Sequence, residues 1–133
     1  MYTLQRLIIL ATLSAGLVAG IAANSSALAA TPQTRADGVT VIHLDEYNGY
    51  FSAEETITGL SAGEYEFIVT NKADKLVGFQ IQNLKSRETL DTFPLQPGET
   101  ASTRVTVTTD GVRYRCPINP TPWYEVDGVG PAK

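Results

Sequence analysis

The sequence predicts an all-β domain, an antiparallel β-sandwich, and three observations lead there. Apolar and polar residues alternate with a period of two over short windows, most clearly in residues 64–71 (EYEFIVTN) and 112–116 (VRYRC). Turn pairs such as Asn48-Gly49, Pro97-Gly98 and Asp110-Gly111 punctuate these windows, giving roughly six to eight short strands at intervals of about eight to twelve residues. No window carries an amphipathic helical period, although residues 86–93 have room for one helical turn.

The 133 residues are enough for one domain, and the first stretch reads as outside it. Residues 1–6 make a weakly cationic start, 7–23 (LIILATLSAGLVAGIAA) are apolar, and 24–30 (NSSALAA) are small and polar. This order predicts a signal peptide over residues 1–29, cut after the A-x-A site Ala27-Leu28-Ala29, and hence a periplasmic or secreted protein. A retained membrane anchor is the weaker alternative, since the apolar run is near the lower limit for a span and rich in small residues. No cysteine stands by the cut, which argues against a lipoprotein anchor.

Ten basic residues face fourteen acidic ones, a net charge of −4. The leader removes Arg6 and no acid, leaving 9 against 14, or −5. A surface of that sign, without a basic cluster, repels nucleic acid and anionic lipid, so neither is expected as a partner after cleavage. About a hundred mature residues bury roughly 60–65% of the unfolded chain's surface, enough for one small core. The single cysteine cannot form an internal disulfide, although export would permit one.

Taken in order, residues 30–38 read as a loose polar leader, and 39–44 (VTVIHL) as a first, β-branched strand. Residues 45–53 (DEYNGYFSA) hold the Asn48-Gly49 turn, with Tyr47, Tyr50 and Phe51 covering one end of the core. A short strand is expected at 56–60 and a turn at 61–63. In residues 64–71, Tyr65, Phe67 and Val69 share the inner face; after the KADK loop, Phe79 and Ile81 do the same in 77–84. Residues 101–109 follow the Pro97-Gly98 turn with Val105 and Val107 inward, and Asp110-Gly111 reads as a hairpin turn. Val112, Tyr114 and Cys116 then alternate with Arg113 and Arg115, so one face is apolar and the other cationic. Pro117, Pro120 and Pro122 stop the strand, and a last strand closes the chain by Val129.

The succession GEYEFIVTN, an x-x-F-x-I strand, LQPGET, a DG turn and V-x-Y-x-C resembles the cupredoxin family over residues 39–129. The chain is similar to the cupredoxin-like domains of bacterial periplasmic iron-uptake proteins more than to plastocyanin or azurin. The resemblance implies a Greek-key, cupredoxin-like sandwich in residues 39–133 with its metal pole at the cysteine. A family copper centre needs two imidazoles and a thiolate, usually with a weak axial thioether. The thiolate position is Cys116. The first imidazole position falls on Val77 or Gly78, the second on Asn119, Pro120 or Thr121, and the axial position near residues 123–125. The chain has one histidine, His43, and one methionine, Met1 in the leader, so a type 1 centre within one chain is excluded on ligand count.

Each remaining candidate has a plain reading and a sharp one. Cys116 is a packed thiol, or a reactive or metal-binding group. Arg113 and Arg115 would activate it if close, but alternation sends them to the opposite face. His43 is a half-buried strand histidine, or the partner of Cys116 in a linear site for Cu(I). Asp45, Glu46, Glu54 and Glu55 form a solvated acidic rim, or with an imidazole a site for a hard or borderline cation. Trp123 and Tyr124 either cover the metal pole or meet a partner protein. No G-x-S-x-G, second histidine or phosphate loop is present, so an enzyme is not expected. The resulting expectation is an exported cupredoxin-like binding or accessory module, with no cofactor and a periplasmic protein as partner. The alternative is an electron-transfer or metal-chaperone protein that binds copper or iron through Cys116 with His43 or a second subunit.

Overall fold

Alternation along β2 (Thr40–Tyr47) sends Ile42, Leu44 and Glu46 to one side and His43, Asp45 and Tyr47 to the other. The computed structural model describes residues 29–133, so all but the last residue of the expected signal segment lies outside the described residues. It is all-β, with two packed sheets. One sheet has the order β1 (Gln33–Thr34), β2, β4 (Gly63–Asn71), β7 (Thr100–Val107), with β3 (Tyr50–Ala53) also paired to β2. The other has the order β6 (Thr89–Leu95), β5 (Val77–Asn83), β8 (Val112–Arg115), β9 (Tyr124–Val126). Pairing is antiparallel except between β2 and β4, which run parallel with Glu46 opposite Asn71.

The predicted inner faces meet between the sheets. Ile42, Leu44, Phe67, Val69, Val77, Phe79, Ile81, Val112, Tyr114 and Cys116 are buried in one core. Each fully buried Val, Leu, Ile or Phe side chain contributes about 1.5–3 kcal/mol, which must hold the fold without a disulfide. Aromatic rings brace the β5–β8 side: Phe51 meets Phe79, Tyr114 and Tyr124 edge-on at 5.9, 5.1 and 5.4 Å. Tyr114 stacks on Tyr124 at 5.3 Å. Of the three aromatics expected to cover the core, Phe51 does so, whereas Tyr47 and Tyr50 are exposed.

Several local expectations are corrected. The polar leader is not loose: β1 zips onto β2, Arg35 pairs with Glu66 at 2.7 Å, and Asp37 pairs with Arg104 at 2.9 Å. Residues 56–60 form no strand, because Thr56 spends its amide on the Ala30 carbonyl while Leu60 is anchored by the bond from Gly130. There is no helical turn over 86–93. The Asn83 carboxamide accepts the Lys85 and Ser86 amides, Arg87 adopts a φ of 67°, and β6 follows. Asp110-Gly111 is not a hairpin turn, since β7 and β8 lie in different sheets and the chain crosses from one to the other there. Asn48-Gly49 is one: with φ of 55° and 99° it reverses β2 into β3.

Candidate functional site

Because β2 ends at the pole where the 48–49 turn meets the 118–121 loop, its last inward residue sets the chemistry there. That residue is Glu46, wholly buried, with neither carboxylate oxygen in a hydrogen bond of good geometry. Desolvation pushes its pKa up to about 7, opposed by the nearby Cys116 thiol, which pulls it down. Cys116 is also wholly buried, one residue beyond β8, and its Sγ accepts the Asn119 amide at 3.3 Å. Asn119 in turn donates through Nδ2 to the carbonyl and Oδ1 of Asn48, both at 3.1 Å, and Thr121 donates to the Gly49 carbonyl at 2.9 Å. The proline-rich loop is thereby tied down over the thiol. Glu46 is therefore not part of the acidic rim; its parity with Ile42 and Leu44 turns it inward.

His43 stands elsewhere. It points away from the core, on the outer face of the sheet whose inner face packs toward Cys116, so the two do not meet in a shared linear site. Its partners come from the chain returning after β3. Its backbone amide donates to Glu55 Oε1 at 2.6 Å, and its Nδ1 lies 2.7 Å from Glu55 Oε2. His43, Glu54 and Glu55 each offer a donor atom within 4.8 Å of the other two, the sharper of the two readings of the acidic rim but without Asp45 or Glu46.

The residues at the pole do not fit type 1 copper. At Gly78 an added Cβ would meet Ile118 Cδ1, Pro117 Cδ and the Phe93 carbonyl, each at 3.3 Å, so the loop occupies the space an imidazole would need. Val77 is core, and Asn119 is committed to Asn48. Only the thiol of that ligand set is in place.

Trp123 and Tyr124 separate in role. Tyr124 packs on Tyr114 and Phe51, and its hydroxyl accepts the Phe51 amide at 3.1 Å. Trp123, half-buried, lies against the cationic outer face of β8, with the guanidinium carbons of Arg113 and Arg115 at 3.9 and 4.2 Å from its ring centre. Gln82 Oε1 holds Arg113 through Nε at 3.0 Å and Nη2 at 2.8 Å. Burial, with Arg87 and Arg115 nearby, lowers the Arg113 pKa against a weaker opposing pull from Glu125. Among the described residues no carboxylate lies within 4.0 Å of Arg113 or Arg115, and Arg115 Nε is buried without a partner. The molecule thus carries three distinct groupings: a buried acid and thiol at one pole, an imidazole with two carboxylates on one sheet, and an indole with two guanidiniums on the other. The chain matches no protein-family model and no curated protein.

Proposed function

We propose that this chain is an exported, cupredoxin-like binding module of Greek-key type, without a type 1 copper centre, that docks an acidic partner protein on the outer face of β5, β8 and β9. One observation carries this reading: Trp123 is held against Arg113 and Arg115, and neither cation has an acid within ion-pairing distance, in a chain of net charge −4. Two guanidiniums held over an indole, that of Arg113 also fixed by Gln82, have already lost much of their rotamer freedom, so a carboxylate arriving there meets a preorganised fork. The signal-like order of residues 1–30 supports export to the periplasm or beyond.

Trp123 is the sole tryptophan and so reports on its own surroundings. Titrating the protein with a glutamate-rich peptide at low salt should change its fluorescence saturably, and added salt should reverse the change. Arg113→Ala and Arg115→Ala should each weaken binding at least about fivefold, the loss of a charge-assisted contact of about 1 kcal/mol or more. A flat titration at low salt would end this reading.

A second reading, cation handling, rests on the His43, Glu54 and Glu55 grouping. With Nδ1 held by Glu55, the His43 Nε2 is oriented as in carboxylate–histidine–metal arrangements. Loss of Ni2+ or Zn2+ binding in His43→Ala is its test.

A further inference from the structure

We propose that Glu46 and Cys116 form a buried site for a divalent cation of the zinc class at the loop-covered pole of the sandwich. Glu46 occupies an inward strand position that Ile42 and Leu44 fill with hydrocarbon, and both its oxygens are shut from water without a hydrogen bond of good geometry. A carboxylate left in that condition is costly, and either a proton or a cation relieves it. Beside it lies a second group able to ligate a metal, the Cys116 thiol. Thiolate suits soft and borderline ions and carboxylate suits hard ones; zinc-class ions accept both.

Charge selects the valence. A thiolate and a carboxylate together neutralise a divalent ion, each donor releasing its proton to solvent as the ion enters. A monovalent ion would be neutralised by the thiolate alone and leave Glu46 its proton, whereas a divalent ion draws on both donors. Two side chains supply at most three donor atoms, so one coordination position or more stays open and the ion is exchangeable. The 117–122 loop, with Ile118 exposed and the Asn119 amide bonded to the sulfur, lies over the thiol. This site is separate from the face proposed for the acidic partner, and either can fail without the other.

The test is titration of the metal-free protein with Co2+, followed by Zn2+ displacement. A thiolate-to-cobalt charge-transfer band in the near ultraviolet should saturate at one equivalent and vanish on adding Zn2+. Cys116→Ser should abolish the band, and Glu46→Gln should raise the Kd at least tenfold. X-ray absorption of the zinc-loaded wild type needs no variant: it should show one sulfur at about 2.3 Å with oxygen at about 2.0–2.2 Å. Absence of the thiolate band, a zinc shell without sulfur, or a Glu46→Gln protein that folds and binds as tightly as wild type would each overturn the proposal.

Discussion

Glu46 and Asn71 stand opposite each other across the parallel β2–β4 pair, both fully buried, and their polar atoms are treated in opposite ways. Asn71 donates through Nδ2 to the carbonyls of Lys75 at 2.8 Å and Leu95 at 3.0 Å, and accepts the Ala73 amide at 2.8 Å. The Glu46 carboxylate has no such partner. One polar residue knits the sheets together and its neighbour is held in reserve.

For Glu46 the consequence is a pH dependence. Its pKa rises from 4.5 unfolded to about 7 folded, so between those values the native state binds the extra proton and stability falls as pH rises. The loss should begin above the unfolded value and level off above the folded one, amounting to roughly 3 kcal/mol in the metal-free protein. Denaturant midpoints across that range check it; Glu46→Gln, which cannot ionise, should flatten the profile and stabilise the protein at alkaline pH.

Asn71 predicts a large and pH-independent effect. Asn71→Ala strands two carbonyls and an amide, all of which lose a bonded partner, and should cost about 2–4 kcal/mol. Chemical denaturation measures the loss, and hydrogen exchange should place the fastest new opening at the Ala73 amide.

The two bonds between His43 and Glu55 fasten the segment after β3 to β2, and Ala30 bonds to that same segment through Glu54 and Thr56. Glu55→Gln keeps an acceptor for the His43 amide but loses the charge, and should cost about 1 kcal/mol. Proteolysis near residues 54–58 should accelerate first.

Gly111 joins the sheets where the chain crosses from β7 to β8, at a φ of 83° and with an added Cβ only 2.3 Å from the Val126 carbonyl oxygen. Gly111→Ala therefore meets backbone rather than a flexible side chain and should cost about 3 kcal/mol or more. The thermal unfolding midpoint reports it.

What could be read from the chain follows what alternation encodes. Tyr65, Phe67 and Val69, or Phe79 and Ile81, declare an inner face within a single strand, and their burial agrees. Which strand belongs to which sheet is a non-local matter, so Asp110-Gly111 looked like a hairpin while the chain in fact changes sheets. The leader was missed because an edge strand such as Gln33–Thr34 is held by backbone bonds, which leave no mark on side-chain pattern. Glu46 is legible in principle, two alternations along from Ile42, but the acids around it disguise an inward position as part of a rim. The tight turn at Asn48-Gly49 likewise returns the chain antiparallel to β2 and brings Glu54 back beside His43, a register that turn length alone implies.

The complete enclosure of Cys116 gives the molecule an internal clock. In an oxidising compartment a lone accessible thiol would couple to its like, but this sulfur can be attacked only when the loop over it lifts or the sandwich opens. Covalent dimers accumulating during storage would thus count those openings, and their rate would report how well the native molecule keeps its pole closed.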